Sequence, residues 1–320
     1  MEKTKENRNK AIYEYYLESG LSFNKLSKKY NLSPQRIQKI VSDYKAKNIA
    51  QNLAVSSTFD ERNLYKNLAV ETREGGNLDL ALQMFKIIET WDEANKNYRG
   101  LGDIQGHMSI IYNKLSDAAK KIEDKKKNLE YSIKHLEKAL DIQNKGLTDG
   151  GAKAITQVQI SATKNRLAKN LEGKEKKDVL LDALDIINLA IMTLPGSKAH
   201  KAWPLKVKAQ ILAHLEKYDE AIDALMEAER HLYLGYMQEM NWTPNERKIG
   251  QKGNIGNDQA IMKLLIWHTG IQLTYAEIYE KTERDVLAKF YASAVLNAED
   301  SNGLLRESKK QAKLIFDRVN

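Results

Sequence analysis

The sequence predicts an all-α fold in two parts: a short basic helical domain at the N-terminus, then a long array of stacked helical hairpins. Three observations carry this. The 320 residues include only four prolines and few β-branched runs. Residues 22–44 place apolar side chains at helical spacing on two short segments joined by a tight turn. From Asp60 onward, amphipathic segments come in pairs, and a small–bulky–small pattern recurs along them.

The N-terminal elements come in order. Residues 1–8 are polar and expected to fray. Lys10–Ser19 carries Ile12, Tyr13, Tyr16 and Leu17, a first helix that braces the next two, and Gly20 ends it. In Ser22–Tyr44, Phe23, Leu26 and Tyr30 share one helical face, and Ile37, Ile40, Val41 and Tyr44 share another. Asn31 tolerates the left-handed backbone of a helix end, and Leu32 plugs the corner. Ser33 suits an N-cap, and Pro34 a first helical position, where a missing N–H costs nothing.

This is a helix-turn-helix, whose second helix enters the DNA major groove by its N-terminal end. Ser33, Gln35, Arg36, Gln38 and Lys39 lie at that end. Arg pairs with guanine O6 and N7, and Gln with adenine N6 and N7. Lys25, Lys28 and Lys29 on the preceding helix suit phosphates. Ser22, Leu26, Ser27, Tyr30, Leu32, Ser33, Arg36, Ile37 and Ile40 resemble the helix-turn-helix pattern of sigma-factor region 4, over about 25 of the 320 residues.

Charge agrees with this reading. Residues 1–52 hold 11 Lys/Arg and 5 Asp/Glu, a net of +6 within a chain net of +8. A phosphate partner favours that concentration. After Tyr44 the helix is expected to run on through residue 54, with a hinge at residues 55–59 and Thr58 or Asp60 capping the next helix.

The second part repeats. Gly76 to Phe85 (with Ala81), Leu129–Ser132–Leu136–Ala139, Ala183–Ile187–Ala190–Pro195, and Ala221–Leu225–Ala228 keep one spacing of small and bulky residues. Gly100–Asp103 with Met108, Ser109 and Tyr112 reads as a partner helix. Small residues let the helices of a hairpin approach, bulky ones fill the gap to the next hairpin, and no pair buries its face alone. The pattern resembles the tetratricopeptide repeat. That resemblance implies a concave groove lined at fixed offsets from the small positions Ala69, Ser109 and Ala209, by Asn63, Lys66, Arg73, Asn113, Lys206 and Gln210. Insertions are expected at Lys120–Lys127 and Gly146–Gly151, and the largest loop at 241–257. Its three glycines lack the order of a phosphate-binding loop and follow no strand.

The chain contains no cysteine, which excludes disulfides and thiolate metal sites and suits a reducing cytoplasm. No apolar run reaches membrane-spanning length, and the N-terminus has no apolar signal segment. The six histidines have no metal-ligand spacing, and no nucleophile or dinucleotide motif is present. The expectation is a protein that is not an enzyme and uses no cofactor or metal.

The domains expected are 1–54, helix-turn-helix; 59–300, the array; and 303–320, a capping or dimerisation helix. The combination resembles the peptide-responsive transcription regulators of bacteria and their phages, which implies DNA, a peptide or protein segment in the groove, and a second copy of the chain as partners. The other reading is a scaffold whose array binds a protein while the basic N-terminus tethers it to nucleic acid.

Overall fold

The computed structural model describes residues 2–41, 43–44, 58–147, 150–194, 198–240, 258–300 and 303–319. Among them the regular elements are helical and there is no strand. The chain forms two compact units, Met1–Lys120 and Lys121–Asn320.

Among the described residues, the first unit holds α1 (Glu2–Ser19), α2 (Phe23–Tyr30), α3 (34–41, with 43 and 44 also helical), α4 (Phe59–Glu74), α5 (Leu78–Ala94) and α6 (Tyr98–Ala118). Helix α1 starts at Glu2 rather than Lys10, because its polar first turns are rich in Glu and Lys, which favour helix without a core. Ile12 and Tyr13, Leu26, and Ile37, Ile40 and Val41 bury one core between α1, α2 and α3. Tyr13 stacks on Tyr44 and Tyr16 on Phe23. Helix α4 opens with a capping box: Thr58 Oγ1 accepts from the Glu61 N–H at 3.4 Å, and Glu61 Oε2 accepts from the Thr58 N–H at 2.7 Å. The rest of the expected hinge at 55–59 lies outside the described residues, as does the helix extension to residue 54.

The corners between helices repeat one geometry. Gly76, Lys96, Glu216 and Glu283 each take a left-handed backbone, with φ of 83°, 53°, 62° and 56°. At each corner the next N–H reaches the carbonyl five residues back: Asn77 to Thr72, Asn97 to Asp92, Lys217 to Leu212 and Arg284 to Tyr279, at 2.8–3.1 Å. That bond satisfies a carbonyl the ending helix leaves open and fixes the angle of the next one.

The second unit holds α7 (Ile122–Ile142), α8 (Gly150–Ala168), α9 (Gly173–Thr193), α10 (Ala202–His214), α11 (Tyr218–Met240), α12 (Asp258–Lys281), α13 (Asp285–Asn297) and α14 (Arg306–Arg318). Helices α8 and α9, α10 and α11, and α12 and α13 pack as sequential pairs, and α10 also touches α8 and α12. Helices α10 and α12 run parallel: Gln210 Nε2 donates to Thr274 Oγ1 at 3.4 Å, and the Lys206 stem lies against Gly270, both at an offset of 64 residues. The small and bulky positions of the repeat are buried throughout: Ala81 and Phe85 on α5, Leu129, Ser132, Leu136 and Ala139 on α7, Ala183, Ile187 and Ala190 on α9, and Ala221, Leu225 and Ala228 on α11.

One further expectation changes. Lys120–Lys127 is not an insertion, because α7 begins at Ile122, and Glu123 and Asp124 in its first turn offset the helix dipole beside the lysines. Leu305 is buried, its N–H held by Asp300 Oδ1 at 3.1 Å. Helix α14 sets Ala312 and Ile315 into the core under α12 and α13, and Arg318 grips Glu280 with both prongs at 2.5 and 2.9 Å. Pro195 and the expected loop at 241–257 lie outside the described residues, and the expected insertion at 146–151 lies partly outside them.

Candidate functional site

The turn between α2 and α3 sets the first candidate surface. Asn31 takes φ 51°, and the Leu32 N–H reaches back to the Ser27 carbonyl at 3.1 Å. Ser33 Oγ accepts from the Arg36 N–H at 3.2 Å and caps α3. With Ile37 and Ile40 pulled into the core, the helical period turns Gln35, Arg36, Gln38 and Lys39 outward, and all four are exposed, as is Ser33. Lys25 and Lys28 on α2 are exposed as well. Lys29 is exposed but tethered, its ammonium 3.3 Å from the Tyr15 ring centre. At the far end of α3, Asp43 Oδ1 accepts from Asn77 Nδ2 at 2.9 Å.

The array residues predicted in the first unit lie on α4 and α6, and several are committed to partners. Asn63 is half-buried and accepts from Arg62 Nη1 at 3.1 Å. Lys66 pairs with Asp103 at 2.8 Å. Arg73 is buried, donating to His107 Nδ1 at 2.9 Å and pairing with Glu74 at 2.7 Å. Asn113 is half-buried. Arginine can only donate, so His107 Nδ1 is the acceptor and its proton sits on Nε2. Burial pushes the His107 pKa below its ordinary value; Asp103 opposes this, and the Arg73, Lys66 and Arg62 cations add to it. Burial alone would raise the Asp103 carboxyl, but the bond from Lys66 and the neighbouring His107 hold it below the usual range.

A buried ion pair underlies these groups, and nothing in the sequence pattern announces it. Arg62 on α4 reaches Asp92 on α5, Nε to Oδ1 at 3.0 Å and Nη2 to Oδ2 at 2.5 Å. Asn97 Nδ2 donates to Asp92 Oδ1 at 2.6 Å, and Asn97 Oδ1 accepts from the Gly100 N–H at 3.1 Å. A Cβ on Gly100 would meet Arg62 Nη2 and Asp92 Oδ1 at 2.7 Å, so only glycine lets α6 start this close. No local signal marks Arg62 as buried, since its neighbours Glu61 and Asn63 suit a solvated face.

In the second unit, Lys206 and Gln210 lie one turn apart on the side of α10 that packs on α12. Trp203, Lys206, Gln210 and His214 succeed one another along α10; Trp267, Gly270, Thr274, Glu277 and Lys281 do so along α12. Lys169, just past α8, joins the far end. A cavity of about 130 Å³ lies between Trp203, Lys206, Ile266 and Trp267. His214 Nδ1 lies 2.6 Å from Asn165 Oδ1, which fixes the proton on Nδ1 and leaves Nε2 as an acceptor. Burial, then the Lys169, Lys281 and Lys176 cations, push the His214 pKa from 6.5 to about 3. Burial raises Glu277 although three lysines oppose it, and burial lowers Lys206 and Lys281 although Glu277 opposes it. His214, Glu277, Lys169 and Lys281 are not legible as groove residues from the sequence, because only the parallel packing of α10 and α12 brings them beside Lys206.

Among the described residues, no three His, Asp or Glu side chains gather as metal ligands, and no helix is long and apolar enough to cross a membrane. No protein-family model matches this chain, and no curated protein matches it either.

Proposed function

We propose that this protein is a sequence-specific DNA-binding transcription regulator, with α1–α3 as its helix-turn-helix and the remaining helices as a tetratricopeptide array that senses a ligand and joins two copies. One observation carries the reading. A left-handed turn at Asn31 presents Gln35, Arg36, Gln38 and Lys39 to solvent from the first turns of a helix whose opposite face is buried. Those side chains match base edges, the exposed lysines of α2 match phosphates, and the excess charge lies in the same segment. The repeated corners and the parallel run of α10 and α12 support the array.

Selection from random-sequence duplex DNA tests the reading. A regulator enriches one motif, and its Arg36→Ala variant enriches a degenerate version of it. A pool that stays random with the wild-type protein sinks it, and favours the scaffold reading instead.

A second copy is the expected partner on α13. Val286, Leu287 and Phe290 are exposed there, at 84%, 40% and 64%, on a helix whose other face is buried through Ala288, Ala292 and Val295. Apolar exposure of this extent on one helix is a common mark of an interface.

A further inference from the structure

Lys169, Lys206 and Lys281 all act on Glu277; Lys206 is half-buried, and Lys169 and Lys281 are exposed. Among the described residues, no carboxylate lies within ion-pairing distance of any of them. Lys66 and Lys164, by contrast, are paired with Asp103 and Asp182. Lys206 is half-buried, and its tip lies against Gly270, where even a methyl group would crowd its stem at 3.3 Å. A positive charge partly held out of water, with Glu277 acting on it only from beyond ion-pairing distance, costs stability, and that cost persists where binding repays it.

The surroundings say what would repay it. His214 offers a lone pair rather than a charge, Gln210 and Thr274 supply neutral polar groups, and Glu277 is a single carboxylate among three lysines. The near end is different: Trp203, Trp267 and Ile266 wall an apolar cavity directly beside Lys206. Trp203 and His214 are eleven positions apart on one helix, roughly 16 Å of rise. An extended chain covers that in about five residues.

We propose that the groove between α10 and α12 binds an extended acidic peptide, with an apolar side chain between Trp203 and Trp267 and carboxylates within the next five residues on Lys206, Lys281 and Lys169. The site rests on reading the array as the sensing half of the regulator. DNA selection by α3 is scored separately, so loss of the peptide with DNA selection intact overturns only this site.

The probe is the fluorescein-labelled peptide Leu-Gly-Ser-Gly-Glu-Glu, titrated with the full-length protein at low ionic strength. Saturable binding is expected, at least tenfold weaker for Leu-Gly-Ser-Gly-Gln-Gln and for Ser-Gly-Ser-Gly-Glu-Glu. Lys206→Met and Lys281→Met should each weaken it at least tenfold, while Lys310→Met on the exposed side of α14 leaves it unchanged. Lys206→Met should also melt no lower than wild type, because it removes an unpaired charge. Equal binding of the glutamate and glutamine peptides overturns the proposal. So does displacement by inorganic phosphate without any dependence on the leucine, which would make this a free-anion site. A Lys206→Met protein that melts well below wild type makes Lys206 a structural partner of Glu277 and overturns it as well.

Discussion

Arg62 and Asp92 meet in a two-pronged ion pair at 3.0 and 2.5 Å with both side chains almost wholly out of water, at 3% and 0% exposure. Asn97 and the backbone of Gly100 close around it, so three helices of the first unit converge on one charge pair. Breaking such a pair from one side leaves a buried charge unmatched. Asp92→Leu should therefore lower the stability of the first unit by on the order of 3–5 kcal/mol, and Arg62→Met with Asp92→Leu should recover most of that loss. Urea unfolding of the two variants measures both numbers. A double variant as unstable as the single one would contradict this origin of the loss.

The corner residues Lys96, Glu216 and Glu283 hold a left-handed backbone without being glycine. A Cβ in that conformation costs roughly 1–2 kcal/mol. Glu283→Gly should stabilise the second unit by about 1 kcal/mol, since the gain is partly offset by the greater freedom of glycine in the unfolded chain. Thermal unfolding gives the sign directly; a lower melting temperature would mean that the Glu283 side chain contributes more than its backbone costs.

Arg36 is exposed on α3 while Ile37 beside it is buried. Arg36→Ala should leave the circular dichroism and melting temperature unchanged. It should also reduce discrimination between the selected DNA motif and its single-base variants by about 1–3 kcal/mol at one position. Binding titrations at fixed salt check this, and unchanged selectivity removes Arg36 from the base-reading set.

His214 makes stability depend on pH. Its pKa falls from 6.5 to about 3 on folding, so the folded protein favours the neutral ring. The stabilisation is complete above pH 6.5 and is lost as the pH falls towards 3, because the unfolded chain takes up the proton first. Between pH 7.5 and 5.0 the loss should be about 2 kcal/mol. His107 titrates in the same direction in the first unit, so the check is a difference: wild type should lose more than His214→Gln over that range, measured on the second unit. Equal losses would place the His214 ring in water.

Phe290 and Val286 extend from α13 into solvent. If this face joins two copies, Phe290→Glu should convert a dimer into a monomer at micromolar concentration without changing the melting of the isolated subunit. Light scattering decides it, and a wild-type monomer ends the idea.

Several parts of this architecture are legible from residues alone, because their causes are local. The period of Leu26, Ile37 and Ile40, the Asn31 turn and the Ser33 cap need only neighbours within a few positions. The small–bulky spacing from Ala81 to Ala228 is likewise written along single helices, and its positions among the described residues are buried. The start of α7 is hidden, because a lysine run looks like a loop until Glu123 and Asp124 are placed at a helix N-terminus.

The amino-acid sequence by itself determined most of the helices, their apolar faces and the turns at Asn31 and Gly76, since backbone hydrogen bonding and the 3.6-residue period act over one or two turns. Tertiary structure alone decided which charges pair and which stay open. Arg62 finds Asp92 thirty residues away, Lys66 finds Asp103, and Lys206 meets Gly270 at an offset of 64. Sequence spacing carries no information about those distances. Whether a cation is a neutralised strut or an open binding group depends on which helix packs beside it and how much water that packing removes.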